Sequence, residues 1–333
     1  MKILFYCPFR FDLKTNKKKF LGGIESLNID LAKTLAKQKN TVYLATFTKK
    51  KVYSNNVINI PIDKLFLNSN ELKFDSIISS NDAQIFNLFE SSRKIFWMHN
   101  TLSLEKAFRK KKLIPLLTNN VTTVFVSKYL KNKTSPLYFF NKKKIISNFL
   151  TSDFILKKPK KLRKPIFVWS VQRNRGLAET IRIWINEIHP IYKNAKFHIY
   201  GVDKIPFKIS QKALLKNNIH FFGKVKKDNL KRIYSDSMAM ICLGHDETFC
   251  LNAIEANACG LPVISLNNTA LNEIVSDNKN GFLIKNLNEL KNKIDYVINL
   301  NDRERLFLIK NSFLISKNYH LKKILHNWLN ILK

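Results

Sequence analysis

HDETFCLNAIEANACGLPVIS, residues 245–265, follows the apolar run MAMICLG, residues 238–244. The run reads as a buried strand, and Leu251, Ile254 and Ala258 then recur at the spacing of one helical face. Strand, loop and helix in that order define an α/β unit and place Glu247 at the carboxyl end of a strand, where open α/β sheets bind their ligands. Glu247 and Glu255 are eight residues apart. On one helix they would diverge by roughly 80°, so both reach one ligand only if Glu247 belongs to the loop and Glu255 to the helix. The amino terminus of that helix would also offer free N–H groups to an anion. Spacing alone leaves a blander alternative, in which Glu247 favours the helix dipole and Glu255 lies on a solvated face.

The same alternation runs along the chain. KILFYCP, IESLNIDLAKTLAKQ, TVYLATF, FDSIISS, KIFWMHN, VTTVFVS and KKIISNF alternate strand-like and helix-like segments, as in a parallel sheet wound with helices. KKPKKLRKP, residues 157–165, interrupts the pattern as a basic, proline-bearing linker. It restarts with IFVWS, GLAETIRIWINEI, KFHIYG and IHFFG, and ends in three helical segments from about Asn286. The sequence therefore predicts two α/β domains, residues 1–156 and 166–316, joined by 157–165 and followed by a terminal helix, 317–333.

Composition bounds the function. A chain of 333 residues with 45% hydrophobic residues has material for two cores. No run of eighteen apolar residues occurs, and the start MKILFYCPFRFDLK has no small-residue cleavage site, so the expectation is a cytoplasmic protein, free or peripheral on the inner face of the membrane. Cys7, Cys242, Cys250 and Cys259 fall in apolar runs without metal-binding spacing and read as buried thiols of a reducing compartment. The net charge of +34 has three readings: a compositional bias toward lysine, an anionic membrane surface, or nucleic acid. Scattered runs such as Lys17 to Lys19, Lys49 to Lys51 and Lys142 to Lys144, with no nucleic-acid motif, argue against the last. LEKAFRKKKLIPLL, residues 104–117, interleaves Phe108, Leu113, Ile114, Leu116 and Leu117 with a basic cluster and fits either a membrane-facing segment or an ordinary surface helix.

Further groups suit phosphate chemistry. SVQRNRGLAETIRIW, residues 170–184, sets Arg173 and Arg175 just before a helix beginning near Gly176, where forked guanidinium groups and helix N–H groups together grip phosphate. Gly22-Gly23 precede a helix with the stripe Ile24, Leu27, Leu31 and Leu35, and glycines permit close backbone approach. His99 ends an apolar strand. His245, Asp246 and Glu247 are consecutive and diverge, so they do not read as a metal cluster. No Asp-x-Asp, P-loop or GxGxxG occurs.

E-x7-E followed by EAxAxGxPVI, with Glu273 in LNEIVSDNKNGFLI, resembles the donor-site signature of the retaining glycosyltransferases of family 4. The resemblance implies the GT-B fold, two Rossmann-like domains facing a central cleft with the terminal helix crossing back to the first. It implies transfer from a nucleotide-diphosphate sugar to a glycan or lipid-linked acceptor in cell-surface polysaccharide or lipopolysaccharide synthesis, with no cofactor and no metal. By the same resemblance Glu255 holds the ribose, Glu247 and His99 serve the reacting sugar, with Asn100 beside His99, and Gly22, Gly23, Arg173, Arg175, Phe249, Cys250 and Leu251 bind the donor. Residues 10–20 and 102–118 would bind the acceptor. Two departures stand out. Ser170-Val171 replaces the usual Gly-Arg, and Cys250 replaces a glycine, where its side chain is expected to crowd the sugar. A nucleotide-sugar epimerase of the same architecture and a non-catalytic basic protein that binds membrane or nucleic acid are the alternatives.

Overall fold

A computed structural model describes residues 1–11, 13, 21–135, 142–155, 158–159, 163–171, 176–202 and 209–333. The chain forms two compact units: Met1–Thr151 with Leu321–Lys333, and Ser152–His320.

The described strands of the first unit are β1 (Lys2–Tyr6), β2 (Thr41–Thr46), β3 (Val52–Ser54), β4 (Val57–Pro61), β5 (Ser76–Ser80), β6 (Arg93–Met98), β7 (Val121–Phe125) and β8 (Lys142–Ile145). They make one sheet in the order β3-β4-β2-β1-β5-β6-β7-β8, parallel except for β3. The central strands β1 and β5 are buried almost along their whole length because helices cover both faces of such a sheet. Helix Gly23–Ala36 buries Leu27, Leu31 and Leu35 in one stripe, and its buried Asn28 amide donates to Ser80 Oγ (2.9 Å) at the end of β5. The β3–β4 hairpin is not evident from the sequence pattern. Its turn residues Asn55 and Asn56 have φ of 50° and 62°, the left-handed pair that a two-residue hairpin loop requires. Helix Leu321–Leu332 belongs to this unit and inserts Trp328 edge-on against Trp97 at 4.6 Å, both rings fully buried.

The second unit contains β9 (Ile166–Trp169), β10 (Lys196–Tyr200), β11 (Ile219–Gly223), β12 (Ala239–Cys242), β13 (Val263–Leu266) and β14 (Gly281–Ile284). The order β11-β10-β9-β12-β13-β14, parallel at every pairing, is the doubly wound order of nucleotide-binding sheets. Its direction reverses between β9 and β12, so the chain leaves these neighbours on opposite sides and opens a crevice at their carboxyl ends.

Arg163, inside the stretch expected to be a linker, is buried in this unit. Its Nη1 donates to the carbonyls of Tyr234 and Ser235 (2.7 Å each), and its Nη2 to those of Cys259 (2.9 Å) and Gly260 (3.2 Å). These carbonyls lie at the carboxyl ends of helices Lys227–Asp236 and Leu251–Ala258, where helices leave acceptors without partners. One fork thus satisfies two helix ends, although burial pushes the guanidinium down to about 10. The basic composition of residues 157–165 hides a structural anchor.

Candidate active site

The site is built at the β9/β12 reversal. Beyond β9 the chain runs through Ser170 and Val171, and resumes among the described residues at Gly176. Gly176 has φ of +79° and caps helix Leu177–Ile183. A Cβ on Gly176 would lie 2.8 Å from the carbonyl oxygen of Leu243, the first residue after β12. The connections from the two central strands therefore touch. Residues 172–175, including Arg173 and Arg175, lie outside the described residues.

Three groups hold the β9 exit in place. Ser170 Oγ shares a hydrogen bond with Tyr234 Oη at 2.6 Å, and the Asn252 amide donates to the Ser170 carbonyl. Tyr234 is fully buried. Burial, together with the charge of Glu255, pushes its hydroxyl well above the ordinary phenol range, so it stays protonated. Asn252 and Tyr234 were not singled out in the sequence. Their spacing to Ser170 carries no local signal, and only the packing of three elements reveals them.

The loop leaving β12 carries Glu247, which is half-buried. Its side chain folds over Gly244, where an added Cβ would lie 3.0 Å from Oε1, and its carbonyl accepts from Ala270 N at 3.0 Å. Phe249 turns its ring inward against Tyr319 at 5.9 Å, leaving its backbone as what it can offer a ligand. Tyr319 in turn donates from its hydroxyl to the carbonyl of Glu273 at 2.9 Å. Cys250 caps helix Leu251–Ala258 with φ of +65°, a conformation that favours glycine. Its thiol points at Cys242, with Sγ atoms 3.6 Å apart. The side chain thus turns toward the end of β12. Leu251, half-buried, begins the helix.

Glu255 lies on that helix and is only 6% exposed, so it does not occupy a solvated face. Burial pushes its carboxyl up to about 7, Lys227 opposing the rise and Asp153 adding to it. Lys227 is itself 3.3 Å from Asp153. The Glu255 carboxylate forms no ion pair with a described residue, which makes it an expensive group to bury unless a ligand completes it. Among the described residues no three His, Cys, Asp or Glu side chains converge as metal ligands would.

The first unit holds the remaining candidates. His99 follows β6 and is buried, its ring against Trp97 at 4.7 Å, and its backbone N–H donates to Asn81 Oδ1 at 2.8 Å. Burial pushes the imidazole down to about 3, so it is neutral at ordinary pH. Gly22 caps helix Gly23–Ala36, its carbonyl accepting from Ser26 N (3.1 Å) and Ser26 Oγ (3.0 Å). The Glu25 carboxylate folds back over Gly22 into the space a Cβ would take. In the segment 104–117, Phe108, Ile114 and Leu117 are 73%, 62% and 46% exposed. Lys112 instead turns inward and donates to the Asn81 carbonyl, so the basic cluster is not wholly solvated.

A family model described as glycosyl transferases group 1 matches residues 149–313. An uncharacterized glycosyltransferase of Methanocaldococcus jannaschii is 30% identical over 211 residues, 62% of this chain. The chain spans 57% of that relative's length. Among solved structures, sucrose-phosphate synthase from Thermosynechococcus elongatus aligns with a TM-score of 0.73 at 17% identity, covering 99% of this chain and 98% of its own. Anabaena HepE in complex with UDP-glucose aligns at 0.70 and 16% identity, covering 100% and 99%. The fold is thus that of these glycosyltransferase structures, two parallel-sheet domains in one chain. Glu247, Glu255, Gly176 and the loops at the β9/β12 reversal all fall within residues 149–313, the stretch that the glycosyl transferases group 1 model matches.

Proposed function

We propose that the protein is a retaining, metal-independent glycosyltransferase that moves a sugar from a nucleotide-diphosphate donor to a glycan or lipid-linked acceptor of the cell surface, working in the cytoplasm against the inner membrane face. The observation that carries this reading is the buried Glu255 carboxyl, whose charge acts on Tyr234, the residue that holds the β9 exit through Ser170. Two adjacent ribose hydroxyls would donate to it and supply the partners it lacks among the described side chains. The M. jannaschii relative's name supports glycosyl transfer, and the UDP-glucose bound to HepE supports a nucleotide-sugar donor.

In this reading the diphosphate lies over the amino end of helix Leu177–Ile183. The leaving group gathers negative charge as the glycosidic bond breaks, and preorganised donors aimed at that charge lower the barrier. Arg173 and Arg175 supply guanidinium forks there, and the helix adds N–H groups and a partial positive charge. Glu247 addresses the sugar, with the backbone of Phe249, Cys250 and Leu251 beside it. His99, held neutral by burial, acts through a hydrogen bond and not as a cation. Gly22 and Gly23 complete the donor set. The departing phosphate takes the acceptor proton, with attack on the face it leaves. The exposed Phe108, Ile114 and Leu117 beside Lys110 and Lys111 are assigned to an anionic membrane surface.

A thermal-shift screen with UDP, GDP and their sugars tests the reading. Stabilisation by one nucleotide family, with slow release of free sugar from the matching donor, is expected. A folded protein that no nucleoside diphosphate stabilises overturns it. An epimerised donor without transfer would assign the site to epimerase chemistry.

A further inference from the structure

We propose that Cys242 and Cys250 form a redox-active dithiol that closes to a disulfide across the base of the Glu247 loop, taking a low-molecular-weight disulfide as its oxidant. Cys242 is the last residue of β12 and Cys250 caps the following helix, so the pair brackets residues 243–249. Their Sγ atoms are 3.6 Å apart, and a disulfide needs about 2.05 Å, a closure of roughly 1.5 Å that side-chain rotation and a small loop shift supply. The intervening loop has its outer part at the surface, with His245 and Asp246 exposed and Asp246 at φ of 59°. Cys250 holds a backbone conformation that glycine would adopt at no steric cost, and its thiol is in contact with that of Cys242.

The exchange balances. One protein thiolate attacks a sulfur of the oxidant, forming a mixed disulfide and expelling one small thiolate. The second protein thiolate displaces the other. The protein loses two electrons and two protons, and the oxidant becomes two thiols. Because its hydrogen bond to Cys242, and then burial, keep Cys250 protonated, closure proceeds through loop opening and is slow. The product would tie the chain around Glu247 to the sheet.

The test is equilibration of the folded protein in mixtures of oxidised and reduced glutathione, followed by acid trapping, intact mass and peptide mapping. The expected result is a species lighter by two hydrogen atoms in which Cys242 is linked to Cys250, while Cys7 and Cys259, both buried, remain thiols. Cys250→Gly removes that species. Thiols at both positions throughout, or a link that forms only in urea, overturns the proposal. UDP thermal shifts are read on the reduced and oxidised forms in parallel. A disulfide formed in a protein that UDP and GDP leave unshifted upholds the dithiol while removing the transferase reading.

Discussion

The backbone of Gly176 lies so close to the carbonyl oxygen of Leu243 that a Cβ would sit 2.8 Å from it, at φ of +79°. This contact joins the loops leaving the two central strands of the second sheet. Gly176→Ala forces either the loop or the helix start to move and adds left-handed strain. The expected cost is about 2 kcal/mol of stability, read by urea denaturation, with a larger proportional loss of nucleotide affinity by calorimetry.

Glu255 gives a pH signature. Its carboxyl titrates near 7 in the folded protein and in the ordinary carboxylate range when unfolded, so between these values the folded state holds the extra proton. Stability therefore falls as pH rises through this window, by up to about 3 kcal/mol. Glu255→Gln abolishes this slope, while the nearby Asp153, Lys227 and Tyr234 are unchanged. The same variant weakens nucleotide binding at pH 8 by about tenfold to a hundredfold, the worth of charge-assisted hydrogen bonds. A denaturation series from pH 4.5 to 8 with equal slopes in both proteins would refute the assignment.

Arg163→Ala leaves the carbonyls of Tyr234, Ser235, Cys259 and Gly260 without their donor. The second unit should lose about 3 kcal/mol or more, seen as a lower urea midpoint. Arg163→Lys should recover less than half, because a point ammonium cannot span two helix ends.

Trp328→Ala opens a void beside Trp97. A loss of about 3–5 kcal/mol is expected from the first unit, with Trp97 fluorescence shifting to the red as water enters.

Lys110→Glu with Lys111→Glu tests the membrane assignment. Each lysine near an anionic leaflet contributes about 1 kcal/mol, so co-sedimentation with vesicles rich in anionic lipid should fall at least tenfold at low salt. Unchanged partitioning would remove the segment 104–117 from the membrane contact.

The alternation of strands and helices was legible because a two-sided parallel strand must be apolar along its length. KILFY, IFVW and AMIC are short apolar runs of strand length set between helical patterns, and all three form strands. The β3–β4 hairpin escaped because its strands are short and its turn carries two asparagines in place of Asn-Gly. Asn252, Tyr234 and Arg163 escaped for a different reason. Their partners lie as many as 97 residues away, and no local pattern encodes such a distance.

Sequence alone determined where the candidate carboxylates sit in the order strand, loop and helix, because that order follows from periodicity and composition. The family resemblance singled out Cys250 as a departure from glycine. Only the tertiary structure decided that Glu255 is buried and not solvated, that the Cys250 thiol turns toward Cys242, and that Arg163 is an anchor. Burial, side-chain direction and the satisfaction of distant carbonyls depend on what packs nearby, and that is set when the sheets and helices assemble.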